Sequence, residues 1–79
     1  RFSKSAVGIV SVFAADGTAR GVTLEGLKYP LRDYAMAADN PIGVSNEFIG
    51  KPSRIVVQEG ALIVMAGDNA PSWLEPDAR

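Results

Sequence analysis

Apolar and polar positions along this chain alternate with a period of two, in short bursts separated by glycine and proline. Residues 6–14 (AVGIVSVFA) form the first burst. In extended chain, Val7, Ile9, Ser11 and Phe13 share one face, and Gly8, Val10 and Val12 share the other. Both faces are largely apolar, which predicts a strand buried on both sides. Asp16-Gly17 closes the run with a turn signal. Residues 20–25 alternate more cleanly. Val22 and Leu24 face one way and Thr23 and Glu25 the other, the pattern of a half-buried strand.

Gly26 and Pro30 bracket a stretch that no long regular element can occupy, because Pro30 lacks a donor and holds Tyr29 extended. Residues 32–39 fit two descriptions. Tyr34, Met36 and Ala38 alternate, while Ala35-Met36-Ala37-Ala38 also favours helix, so a short strand or a turn of helix is expected. Asn40-Pro41 marks a turn, residues 42–48 alternate again, and Gly50-Lys51-Pro52 ends that run. Residues 53–58 and 61–65 are apolar runs flanking Glu59-Gly60, which predicts a hairpin. Residues 1–67 are expected to form a β domain. Residues 68–79 are expected to be a loosely ordered tail, with Trp73 and Leu74 able to dock on the domain or on a partner. No stretch sustains a period of 3.6, and no repeat or low-complexity tract occurs. About six short strands at regular spacing predict an all-β fold, a small β-sandwich or jelly roll of the double-stranded β-helix kind.

Composition narrows the chemistry. With 79 residues the chain makes one small domain, and such a domain buries only roughly 60% of its unfolded surface. Domains this small usually lean on a partner or a neighbouring domain. Cysteine and histidine are absent. Disulfides, thiolate or imidazole metal sites and Ser-His chemistry are therefore excluded for these residues. The net charge of −1 comes from interspersed acids and bases, which offers no electrostatic footprint for nucleic acid. No apolar run reaches the ~20 residues of a membrane span, and the N-terminus lacks a signal pattern. A cytoplasmic domain is the expectation. The chain opens at Arg1 without methionine and is expected to be a piece of a longer polypeptide.

One polar pair interrupts the alternation of residues 42–48. Extended, Ile42, Val44, Asn46 and Phe48 point one way, and Gly43, Ser45, Glu47 and Ile49 the other. Asn46 thus shares a face with apolar side chains, and a buried carboxamide without partners costs roughly 1–3 kcal/mol. Two uses are open to it. It can bridge the backbone of a neighbouring turn, or it can read a planar heterocycle that presents a donor beside an acceptor.

Two blocks carry a family resemblance. Gly26-Leu27-Lys28-Tyr29-Pro30-Leu31 follows Gly21-Val22-Thr23-Leu24-Glu25, and Gly43-Val44-Ser45-Asn46-Glu47-Phe48 comes later, before Gly60 and an apolar strand. In this order and spacing they resemble the C-terminal thiamine-binding domain of thiamine pyrophosphokinase, over about residues 7–65. The resemblance implies a jelly-roll β-sandwich in which Ser45 and Asn46 line the thiamine site. It also implies an enzyme that transfers a pyrophosphoryl group from ATP to thiamine, giving thiamine diphosphate. In that family ATP and Mg²⁺ sit on an N-terminal α/β domain, and thiamine lies between subunits of a homodimer. Thiamine's thiazolium is a cation, for which Phe48, Trp73, Glu25 and Glu47 are candidate neighbours.

The residues in hand depart from the whole enzyme. They carry no clustered aspartates and no Gly-rich phosphate loop. Gly67-Asp68-Asn69 only begins like a metal motif, so no catalytic and no metal residue is assigned. These residues alone are expected to make no thiamine diphosphate from ATP, Mg²⁺ and thiamine. Two other readings remain: a non-catalytic dimerisation or interaction module that keeps the fold without the ligand, and a β-sandwich for another small molecule. A metal-dependent cupin is disfavoured by the missing histidines.

Overall fold

The alternation at Val10, Val12 and Ala14 places those side chains on one face of strand β1 (Ile9–Ala14), where all three are buried. A computed structural model describes residues 1–39, 45–67 and 70–75 of the chain. Within them, β1 is followed by β2 (Thr18–Glu25), β3 (Leu31–Ala37), β4 (Asn46–Glu47), β5 (Arg54–Val56), β6 (Leu62–Met65) and a single helical turn, α1 (Ala70–Trp73). The strands form two antiparallel sheets of three, ordered β4-β1-β6 and β3-β2-β5. Val10, Val12 and Ala14 from one sheet meet Ala19, Val22, Leu24 and Met36 from the other in a single core, closed by Phe2, Ala6, Leu27 and Phe48. This is a small β-sandwich, the all-β class that the short alternating runs predict.

Strand β1 is buried on one side only, not on two. Ile9 is 57% and Val7 65% exposed, and Ser11 and Phe13 are half-buried. The register continues this outer face across the sheet, with Ser11 beside Met65 and Phe13 beside Ile63. A two-layer sandwich covers one face of each sheet, and nothing within the described residues covers the other.

The hairpin expected at Glu59-Gly60 does not form. β5 pairs with β2 (Thr23 with Val56, Leu24 with Ile55), whereas β6 pairs with β1. The segment between them crosses from one sheet to the other. Its turn is held by Arg20, whose N–H donates to the Glu59 carbonyl (2.9 Å) and whose carbonyl accepts from Gln58 and Glu59 (3.0 and 3.1 Å). Gly60 has φ +90°, and a Cβ there would lie 3.1 Å from Ala19 Cα. A glycine-containing turn fits this crossing as well as a hairpin, because the conformation is local while strand partners are chosen by long-range burial.

Residues 31–37 form strand rather than helix, with Val22 opposite Tyr34 and Ala19 opposite Met36. Met36 is fully buried and Tyr34 half-buried. The register shift between Ala19 and Val22 adds one residue to β2 and brings Ala19 onto the core face with Val22 and Leu24. Of the run 42–48, residues 42–44 lie outside the described residues; the remainder supplies β4.

Past Gly67, residues 70–75 pack against the start of the chain. Ser3 N–H donates to the Trp73 carbonyl and Glu75 N–H to the Arg1 carbonyl, both at 2.8 Å. Phe2 bridges to both Leu74 and Ser53. Trp73 packs its side chain against the core of the domain, while Leu74 joins it through the backbone and leaves its side chain exposed. Among the described residues no helix is long and apolar enough to cross a membrane.

Candidate functional site

The two sequence blocks that stand apart from the alternating pattern are one structural unit. Gly26 ends β2 with φ +74° and sends the chain into a turn that runs beside β4. Leu27 bridges to Phe48. Lys28 N–H donates to the Glu47 carbonyl at 3.0 Å. Tyr29 N–H donates to Asn46 Oδ1 at 2.9 Å, and Asn46 Nδ2 donates back to the Tyr29 carbonyl at 2.8 Å. Asn46 Oδ1 accepts a second bond, from Glu47 N–H, at 2.9 Å.

The strand parity places Asn46 inward, as the alternation requires. It sits opposite Val10 in the β1–β4 register and is fully buried. Of the two uses open to its carboxamide, the structure displays the backbone bridge: three bonds to the main chain of Tyr29 and Glu47. Each of these main-chain groups needs a partner once it is shielded from water, so the side chain stabilises the turn. Ser45, by contrast, is exposed, with φ +65°. That left-handed backbone turns it away from the strand that follows.

Charge and aromatic surface gather at the same place. Lys28 Nζ lies 3.8 Å from Glu47 Oε1 and 5.5 Å from the centre of the Tyr29 ring. Both ion-pair partners are about half exposed, so the pair itself adds little stability. Tyr29 is 57% exposed, and its ring takes up the same Lys28 ammonium that pairs with Glu47, the kind of surface that attracts a cation. Tyr29 was not among the candidate residues that the sequence suggested. The signal that could have found it is Pro30, which holds Tyr29 extended and leaves its N–H and carbonyl to be matched from outside.

The other candidates are scattered. Phe48 is core, packed edge-on to Phe2 (5.1 Å between ring centres) and to Trp73 (5.8 Å). Glu25 faces Arg54 at 4.0 Å and borders a cleft formed with Thr23, Gly26, Pro30, Leu31 and Arg32. This cleft opens against the turn that Asn46 holds, since Gly26, Pro30 and Leu31 belong to both. A smaller hollow lies beside Glu25, Ser53 and Arg54. Neither is lined by Ser45 or Asn46. Among the described residues no cluster of three or more acidic side chains could hold a metal ion.

A family model described as "Thiamin pyrophosphokinase, vitamin B1 binding domain" matches residues 2–62. The chain belongs to this family. The match spans five of the six strands and reaches the first residue of β6. It includes both blocks of the vitamin B1-binding domain and leaves α1 outside. No curated protein matches the chain, and no solved structure does. In this vitamin B1-binding domain, then, the Gly26–Leu31 turn and the Ser45-Asn46-Glu47 segment form one bonded surface, with Asn46 inside it and Ser45, Lys28, Tyr29 and Glu47 reaching the surface.

Proposed function

We propose that this domain is the thiamine-binding part of a thiamine pyrophosphokinase, the enzyme that transfers pyrophosphate from ATP to the hydroxyethyl group of thiamine. The observation that carries the reading is the joining of the two family blocks through Asn46 and Tyr29, within the stretch that the family model matches. Within the Ser45-Asn46 pair, exposed Ser45 is the member that meets thiamine, while buried Asn46 holds the turn beside it. The Ser45 hydroxyl offers a donor and an acceptor to the aminopyrimidine. The Glu47 carboxylate and the Tyr29 ring, which hold the Lys28 ammonium, attract the thiazolium cation, and Lys28 swings out to solvent as the thiazolium takes its place. ATP and Mg²⁺ belong to an N-terminal α/β domain, and a second copy of the chain completes the cleft in a cytoplasmic homodimer. The chemistry of transfer needs groups that neutralise phosphate charge, and this reading places them on that other domain.

Calorimetric titration of the protein with thiamine tests this reading. Saturable binding of one thiamine per chain is expected. Ser45→Ala is expected to weaken it about tenfold, the loss of one hydrogen bond made in a partly dry site. No heat of binding with thiamine in large excess, or an unchanged affinity in Ser45→Ala, would overturn it.

A second reading is favoured by one observation, the exposed apolar side chains of Ile9, Ile63 and Met65 on the outer face of the β4-β1-β6 sheet. Contiguous apolar surface of this kind marks contact with another protein surface. The domain would then be a non-catalytic dimerisation or interaction module. In that case sedimentation shows self-association while the thiamine titration stays flat.

A further inference from the structure

We infer that Asn46 is a positioning residue of the vitamin site, acting on the ligand through the main chain of Tyr29 and not through contact of its own carboxamide. The inference rests on the thiamine-binding reading above and specifies the role of one member of its Ser-Asn pair.

Three observations carry it. First, Asn46 has no exposed surface, so the fold itself covers its amide. Second, the bonds it makes are those of a strand neighbour. Its Oδ1 accepts from Tyr29 N–H and its Nδ2 donates to the Tyr29 carbonyl, which is how paired strands exchange bonds. The turn at Lys28–Tyr29 has no full strand beside it. β4 is only two residues long, and its register partners are Ile9 and Val10 on β1. The side chain therefore reaches over to a segment 17 residues earlier in the chain and supplies the missing partner. Third, the groups assigned to the ligand lie on the two segments that the link joins. Lys28 and Tyr29 ride on the turn, Glu47 is tied to Asn46 Oδ1 through its own N–H, and Ser45 precedes Asn46 directly.

The chemistry of the link sets its own test. Aspartate keeps an acceptor for the N–H groups of Tyr29 and Glu47 but turns the Nδ2 donor into an oxygen facing the Tyr29 carbonyl. Two oxygens without a proton between them repel. A protonated aspartic acid restores the donor; burial and the Glu47 carboxylate raise the pH at which it protonates, while the Tyr29 and Glu47 N–H groups and the Lys28 ammonium lower it, so the recovery falls within the acid range of a carboxyl group. Asn46→Asp is therefore expected to bind thiamine weakly at neutral pH and to recover relative to the unsubstituted protein as pH falls. Asn46→Ala is expected to lose at least about tenfold in affinity at every pH, because buried groups lose their partners and the turn shifts. Both are measured at a temperature where circular dichroism shows the variant fully folded, so that a purely structural loss leaves the dissociation constant in place.

Amide exchange followed by NMR reads the same link without ligand. The Tyr29 amide and the Asn46 side-chain amide are expected to exchange slowly in ligand-free protein and to change little when thiamine is added. In Asn46→Asp at neutral pH the Tyr29 amide is expected to exchange faster. An Asn46 side-chain amide that exchanges freely until thiamine arrives, or an Asn46→Asp affinity with no pH recovery, overturns the inference. Failure of the unsubstituted protein to bind thiamine overturns the thiamine-binding reading and the ligand part of this inference. The exchange result alone then decides whether Asn46 holds the turn.

Discussion

Gly26→Ala is expected to cost this domain at least about 3 kcal/mol of stability, two penalties combined. The first is conformational. Gly26 has φ +74°, and holding an L-residue there costs about 1–2 kcal/mol. The second is steric. A Cβ at Gly26 would overlap the Pro52 carbonyl oxygen and lie 3.0 Å from Ser53 Cα. Both obstacles are main chain, so no side-chain rotation relieves them. The neighbouring Glu25–Arg54 and Leu24–Ile55 pairings hold β5 against β2, so any shift that frees the new methyl group opens that ladder. A domain of this length has only about 4–12 kcal/mol of total stability. The melting temperature by circular dichroism is expected to fall by more than about 10 °C. A fall of under about 4 °C would mean that the backbone at Gly26 relaxes freely, and the tight joint between the first motif block and β5 would then be wrong.

Phe48→Ala is the second large effect, expected at about 3–5 kcal/mol for a buried phenylalanine truncated to alanine. Phe48 is 5% exposed and packs against both Phe2 and Trp73. Its ring meets Phe2 at an interplanar angle of 63° and Trp73 at 75°, edge-to-face arrangements that add to the burial. Its backbone N–H donates to the Gly8 carbonyl, and its strand position bridges Leu27. Losing the ring therefore loosens the N-terminal residues and α1 together. Two measurements check this. The melting temperature should drop by more than about 12 °C. The emission of Trp73, the chain's one tryptophan, should shift to longer wavelength in the folded variant as the indole meets water. Unchanged emission would show that Trp73 is seated without Phe48.

What the sequence made legible was whatever depends on parity. Val22 and Leu24 point inward, Thr23 and Glu25 do not, and Asn46 falls on the same face as Phe48. Such statements need only the period of a strand. What it hid was partner choice. The runs on either side of Glu59-Gly60 look alike and lie close in sequence, yet Ile55 pairs with Leu24 and Ile63 with Phe13. No local signal distinguishes that crossing from a hairpin. β1 misled for a related reason. Its outer residues are as apolar as its inner ones, and sequence alone cannot say which face the second sheet covers.

The site divides along the same line. The two blocks were visible because glycine, proline and a buried amide break the alternation in recognisable ways. Their union was not visible, since the partner of Asn46 is the backbone of Tyr29, and every residue type has that backbone. Tyr29 became a candidate only once the fold brought it beside Glu47 and Lys28. Phe48 and Trp73 moved the other way, from possible ligand neighbours to the packing that joins residues 70–75 to Phe2.

The most direct check on the central claim is a residue-resolved one: backbone amide shifts of isotope-labelled protein titrated with thiamine. The account predicts shifts concentrated at Lys28, Tyr29, Ser45 and Glu47, with Ile9, Ile63 and Met65 on the outer sheet face left in place. A titration that moves nothing with thiamine in large excess, or that moves the outer face while the joined blocks stay still, would contradict it.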